Sequence, residues 1–406
     1  MPLIPDLPLP KAPRRSLPVQ AVTAGILTAF VGFGGSFAIV LQGLAAVGAT
    51  TAQLASALLA LCLGMGVVGM GLSRWTRMPI SIAWSTPGAA LLASSGAVTG
   101  DFPTAIGAFI VAGGLIVLAG AWAPLSRLVA AVPASLANAM LAGILLHLCL
   151  APFAALAVAP LPVLAILVVF LVVGRFARLY AVPAAVMTAF AGLALTASMP
   201  AGVTGTSWSD WVPALVPIVP HFGWQATIGI ALPLFIVTMA SQNITGAAVL
   251  AVYGFRPKLA PLLRVTGLVS MLIAPFGAHT INLAAITAAI AAGPDADPRP
   301  ERRYIAAMVA GATYILFGAL AGIAATVVSA SPPVLIEAAA GLALLGAFGA
   351  SIVAGFKDEA DRPAALMTFL ITAADVRFAG IGSAFWGLVA GLAVLALHGR
   401  LARRTV

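Results

Sequence analysis

The chain is expected to be an all-α polytopic membrane protein, with about fourteen spans arranged as a 7+7 inverted repeat. Three observations predict this. Of its 406 residues 62% are hydrophobic and only 8% charged, at a mean hydropathy of +1.12, far from the charged surface that a soluble domain of this length needs. Apolar runs long enough to span hydrocarbon follow one another from Val19 to His398. Basic residues recur singly or in pairs at the ends of those runs, as topology signals do. The net charge of +9 therefore reports orientation, and no nucleic-acid partner is expected.

The chain opens on "MPLIPDLPLPKAPRRS", Pro-rich with three basic residues. It lacks an apolar stretch before a small-residue cleavage site, so residues 1–18 read as a cytosolic tail and not a signal peptide. Spans, some only half-length, follow at roughly 19–43, 50–72, 80–97, 104–123, 134–151, 160–174, 182–199, 225–252, 258–275, 277–292, 303–328, 333–355, 363–374 and 380–398. With the N-terminus inside, the inner connections hold Arg74/Arg77, Arg127, Arg175/Arg178, Arg256/Lys258/Arg264, Arg299/Arg302/Arg303, Lys357/Arg362 and Arg400/Arg403/Arg404. Adding Lys11, Arg14 and Arg15, only Arg377 falls outside, so both termini are placed in the cytoplasm. The longest outer segment, 200–224, carries Trp208, Trp211, Trp224 and several prolines, and reads as an interfacial linker. It separates a first repeat, 19–199, from a second, 225–406. An odd number of spans in each half would leave the halves inverted, a common transporter plan. Cys62 and Cys149 lie in apolar runs as small buried filler, with no metal site or disulfide framework implied.

The two halves can be superposed without gaps in two places. "QAVTAGILTAFVGFGGSFAIV" (20–40) faces "QATIGIALPLFIVTMASQNIT" (225–245), matching Gln20 with Gln225, Phe30 with Phe235 and Ser36 with Ser241. "PISIAWSTPGAALLA" (79–93) faces "PFGAHTINLAAITAA" (275–289), matching Pro79 with Pro275, Ala83 with His279 and Thr86 with Asn282. Their common order around a central linker supports a duplication. Both members of the second pair leave a proline, run extended, and meet a polar capping residue. Thr86 would be the N-cap of the first with Pro87 at the first helical position; Thr280 or Asn282 would cap the second. Each reads as an extended piece followed by a half-helix that starts near mid-membrane, which is tolerated only where protein buries it or it lines a cavity. Two such pieces in corresponding positions point to a substrate site between their N-termini.

Helix N-termini favour anions, and no Lys or Arg lies in the middle of a span. The positive field would come from dipoles, backbone at Gly88, and the polar groups of Ser85, Thr86, Thr280 and Asn282, with Ser36, Ser241, Gln242 and Asn243 on the first and eighth spans. Phe33, Phe37, Trp84 and Phe276 supply an aromatic lining suited to a small anion with an apolar or aromatic body. The bland readings stand beside these. A membrane Ser or Thr usually bonds its own backbone or a neighbouring helix, and a Phe usually packs. The runs "GFGGS" (32–36) and "GMGVVGMG" (64–71) most simply permit close helix approach. Among intramembrane ionisable groups, His279 is the candidate for proton coupling or substrate contact, against a structural hydrogen bond. His147 reads as structural. Glu337 reads as a first-turn acid following Ser331-Pro332-Pro333, and Asp375 would pair with Arg377 at the outer surface.

"PISIAWSTPGAALLA", with "AMLAGILLHLCLAPF" (139–153) and "GIGSAFWGLVAGL" (380–392), resembles the BenE family of benzoate/proton symporters of bacterial inner membranes, over essentially the whole chain. The resemblance implies a fold related to uracil/xanthine permeases and sulfate-permease-type carriers. It implies a core domain (spans 1–4 and 8–11) moving against a gate domain (spans 5–7 and 12–14), with substrate between the half-helix ends of spans 3 and 10. Nucleobase permeases of that fold carry functional acids in spans 8 and 10; here "MASQNIT" and "GAHTINLA" carry none. An anionic cargo explains the absence, since a carboxylate would repel benzoate. Benzoic acid, with a carboxyl pKa near about 4, is an anion at neutral pH and needs a co-transported cation to accumulate. The expected partners are a benzoate-like molecule, a proton, the bilayer and, as an open alternative, a second copy in a homodimer; no cofactor is expected. The rivals are a same-fold carrier of a nucleobase or another small anion, an anion channel and, least, a membrane enzyme, for which His147 and His279 lack the spacing.

Overall fold

The computed structural model describes residues 18–95, 101–122, 124–125, 132–196, 213–285, 287–330, 332–376 and 378–398. The tail through residue 17, Arg127, Trp208, Trp211, Arg377, Arg400, Arg403 and Arg404 lie outside them. The fold is helical: α1 (Val19–Gly34), α2 (Phe37–Ala46), α3 (Thr51–Thr76), α4 (Thr86–Ser94), α5 (Phe102–Ala121), α6 (Ala134–Ala155), α7 (Pro160–Phe176) and α8 (Ala181–Thr196) precede the middle of the chain. After it come α9 (Trp224–Val252), α10 (Leu259–Ile273), α11 (Thr287–Ala292), α12 (Tyr304–Ala319), α13 (Ala321–Ala330), α14 (Pro333–Gly355), α15 (Arg362–Ala373) and α16 (Ser383–Leu397). Two three-residue strands, β1 (Ile82–Trp84) and β2 (Ile281–Leu283), are the extended elements. Among the described residues seven helices are long and apolar enough to cross a membrane, or eight if the pair α12–α13, bent by 55°, counts as one span.

Local chemistry explains the element ends. At α3, Thr50 and Gln53 form a reciprocal capping box, and Arg77 closes the helix in the left-handed region at φ 56°. At α5, the Asp101 carboxylate accepts from Thr104 N–H at 2.8 Å. In α9, Pro233 offers no N–H, and π-helical segments at Thr227–Ala231 and Met239–Ile244 flank its middle turns. Residues 213–223 have no helix. Val216 N–H donates to Ser56 Oγ, Ile218 N–H to the Pro275 carbonyl and His221 N–H to the Pro103 carbonyl, binding this segment across the ends of α3, α10 and α5.

The first span runs from Val19 to Ala46, its helix interrupted at Gly35–Ser36 between α1 and α2. Three sequence expectations need correction. The N-cap of α4 is Ser85 and not Thr86, because it is the Ser85 hydroxyl that reaches Gly88 N–H at 3.1 Å. Neither Thr280 nor Asn282 caps the second half-helix: Asn282 is inside β2, and α11 begins only at Thr287. Glu337 sits five residues into α14, past its first turn.

The heaviest helix contacts are those of α3 and α1 with α12, α5 with α10, α2 with α4, α6 with α14 and α15, α15 with α16, and α7 with α8. Glycines allow the closest crossings. Gly66 on α3 lies against the Gly311 carbonyl on α12, and Gly113 on α5 against the Gly267 carbonyl on α10. Gly311→Val would drive a side chain into the α3 backbone, at an expected cost of about 1–3 kcal/mol. Thermal unfolding in detergent should show a lower midpoint; an unchanged midpoint would contradict this packing.

Candidate functional site

Two broken spans meet inside the bundle. Their extended pieces pair antiparallel, Ile82 with Leu283, Ala83 with Asn282 and Trp84 with Ile281. The ladder brings Asn282 opposite Ala83, so the two broken spans meet through their extended pieces. Backbone removed from water must find its partners within the protein. Ser85 N–H donates to the Thr280 carbonyl (3.2 Å) and Ala284 N–H to the Ser81 carbonyl (2.9 Å), extending the ladder at both ends. The outer edges are closed by side chains. Ser270 Oγ accepts from Ile281 N–H (3.0 Å), Asn243 Oδ1 accepts from Leu283 N–H (3.1 Å), and Ser73 Oγ donates to the Ile80 carbonyl (3.1 Å). Asn243→Leu would leave the Leu283 N–H without an acceptor, an expected loss of about 1–3 kcal/mol. A thermal midpoint equal to wild type would contradict that role.

The predicted polar residues divide by burial. Ser85, Thr280, Asn282 and Asn243 are fully enclosed. Ser85 Oγ accepts from Thr238 Oγ1 at 2.8 Å, and Thr238 Oγ1 lies 3.4 Å from Thr280 Oγ1. Asn282, in the amide orientation that satisfies both ends, accepts from Ser85 N–H (3.0 Å) and donates to the Leu283 carbonyl (2.9 Å). These residues build the crossing and do not face open space. Ser36 and Ser241 are half-buried and donate to their own helices, at the Gly32 (2.9 Å) and Val237 (2.6 Å) carbonyls. Gln242, buried on the second π segment, has no side-chain hydrogen bond among the described residues.

In the stretch from Ser81 to Leu92, only Ala83 and Thr86 are half-buried and the rest are enclosed. In the first turn of α4, Pro87 has no N–H, Gly88 N–H is taken by Ser85 Oγ, and Ala89 N–H by the Ser85 carbonyl. Among the described residues this leaves the Thr86 N–H and hydroxyl as the donors at the helix end. With six residues, α11 is shorter than the nine-residue α4.

Three of the four predicted aromatic rings come together. Phe33 lies 5.2 Å from Phe37, nearly parallel at 12°, and 5.6 Å from Trp84 at 53°. Trp84 Nε1–H donates to Ser36 Oγ at 2.8 Å, tying the break in the first span to the strand of the third. Phe276 stands elsewhere: it ends a 3₁₀ turn, its carbonyl accepts from Ser56 Oγ (2.9 Å), and it adjoins the 213–223 segment. Phe317 of α12, not foreseen, joins the cluster 5.0 Å from Phe33. One turn earlier, Tyr314 is buried with its hydroxyl against Gly32, a position where a methyl group would collide with it. A lone aromatic in an apolar helix gives no sequence signal that it lines a site.

His279 is fully enclosed, with Phe109 edge-on at 6.4 Å. Neither ring nitrogen has a hydrogen-bond partner of ordinary geometry among the described residues. His147 is different: its Nε2–H donates to the Ala373 carbonyl (2.6 Å), closing the C-terminal end of α15. Cys62 and Cys149 are buried free thiols.

Comparison with known proteins agrees with this architecture. The family model described as "BenE: Benzoate membrane transport protein" matches residues 15–397. The chain is 41% identical to the inner membrane protein YdcO of Escherichia coli K12, over 93% of this chain and 95% of that protein. It is 32% identical to the benzoate membrane transport protein of Acinetobacter baylyi, over 92% and 94% of the two chains. Among solved structures, the transmembrane domain of the cyanobacterial bicarbonate transporter BicA superposes with a TM-score of 0.59 at 14% identity, covering 92% of this chain and 97% of that one.

Proposed function

We propose that this chain, which belongs to the BenE benzoate membrane transport family, imports benzoate or a similar aromatic carboxylate with a proton across the bacterial inner membrane. The family is one of membrane transporters and not of enzymes. One observation carries the choice of cargo. The half-exposed end of α4, with its Thr86 N–H and hydroxyl, follows Trp84 by two residues, and Trp84 belongs to the four-ring cluster. Donors for an anionic head and rings suited to an aryl body, two residues apart along the chain, together support this cargo. The cluster favours an aryl acid over a bare inorganic anion such as the bicarbonate for which BicA is named.

The finer reading places about fourteen spans in two inverted halves, with spans 1–4 and 8–11 as core and 5–7 and 12–14 as gate. None of the heaviest helix contacts joins a helix of this core to one of this gate, which supports the reading, as does the pairing of the two broken spans. Core movement against gate would expose Thr86 alternately to the two sides, with both termini cytoplasmic. His279 is assigned the coupled proton, because its enclosed nitrogens hold no hydrogen bond of ordinary geometry among the described residues and would gain one when their surroundings change.

Uptake of labelled benzoate into proteoliposomes tests this. Saturable uptake, stimulated by an inwardly directed proton gradient and without single-channel current, is expected. No uptake with or without the gradient, in sealed liposomes, would remove the substrate. Uptake indifferent to the gradient would remove the coupling.

A further inference from the structure

Phe33 is the hub of the aromatic cluster, since the rings of Phe37, Trp84 and Phe317 all lie within 5.0–5.6 Å of it. These separations and tilts are those that any aryl ring would adopt between the same three neighbours. The three neighbours are held in place. Phe37 is 6% and Trp84 2% exposed, and Trp84 is anchored by its bond to Ser36. Phe317 is fixed through Gly318, which lies against Cys62 and Leu59 of α3. Phe33, half-buried like Phe317, differs in its backbone: it lies in the last turn of α1, between Gly32 and the Gly34–Gly35 pair, where the helix ends before α2 starts. Glycine on both sides lowers the barrier to reorienting the backbone that carries the ring.

We propose that the Phe33 ring is a resident occupant of the aryl slot, and that the ring of an aromatic carboxylate displaces it to lie between Phe37, Trp84 and Phe317. This rests on the aromatic-carboxylate reading above and deepens it: Phe33 competes with substrate and does not form a wall. The slot is then open for only a fraction of the time, and apparent affinity is reduced by that fraction. Deleting the resident ring leaves an apolar, ring-sized cavity, a kind of space that takes up small aromatics.

The sign of one substitution separates competitor from wall. Benzoate affinity is measured by calorimetry on the purified full chain in detergent. Phe33→Ala is expected to lower Kd by roughly three- to tenfold, the closed-slot fraction being removed. Phe317→Ala, which strips a true wall, is expected to raise it by a comparable factor. A Kd for Phe33→Ala that rises along with that of Phe317→Ala, or that stays at the wild-type value, would overturn the proposal. If Phe33→Ala does not fold, Phe33→Leu replaces it, with the same expected sign and the same overturning result. Absence of benzoate binding by wild type would overturn the cargo reading itself, and this proposal with it.

Discussion

Thr86→Asp is expected to abolish benzoate uptake, by on the order of 100-fold or more, without unfolding the protein. The reason lies in the first turn of α4, where the donors left for a ligand are the Thr86 N–H and hydroxyl. A carboxylate fixed at that position takes the place of the substrate's own and repels it. Folding should tolerate the change, because an acidic residue in a helix's first turn is favourable and position 86 is only half-buried. Thr86→Asn, neutral and of similar size, should retain most uptake. Transport and thermal midpoint measured on both variants decide the matter: normal uptake by Thr86→Asp would remove α4 as the anion end.

His279→Gln is expected to uncouple transport from the proton gradient while leaving benzoate binding in place. Gln preserves much of the volume and polarity of the ring but cannot take up a proton at physiological pH. The ring is enclosed and holds no hydrogen bond of ordinary geometry among the described residues, whereas the neighbouring Thr280 and Asn282 bond directly into the ladder. Its loss should therefore fall on coupling and not on architecture. Uptake by His279→Gln that still rises several-fold with an imposed gradient would take His279 out of the mechanism. The proton would then have to be sought elsewhere, for instance at Glu337, half-buried on α14.

What could be read from the sequence was the place of the break and not its geometry. Ser85-Thr86-Pro87-Gly88 is visible because Pro and Gly punctuate an apolar run, but which hydroxyl caps is settled by reach, and Ser85 reaches Gly88. The partner break is legible too, but not how the two pieces pair: the ladder is pinned by Ser270 of the preceding helix and by Asn243, forty residues away in sequence. Phe276 lies close to His279 in sequence, but a turn and a strand intervene between it and α11, and it belongs to the far end of α3. Phe317 and Tyr314 were invisible because nothing in an apolar helix marks the face that meets a site. The "GFGGS" run illustrates two uses of one composition: Gly32 does pack closely, on Tyr314, while Gly34–Gly35 end a helix.

The central claim is spatial: the carboxylate lies at Thr86 and the aryl ring among Phe37, Trp84 and Phe317. Anomalous diffraction from the protein bound to para-bromobenzoate tests it most directly. The bromine peak should fall within the aromatic cluster, with the carboxylate density against the Thr86 N–H. A bromine peak away from those rings, for instance in the cleft lined by Arg77, Phe255, Pro300 and Glu301, would contradict the account.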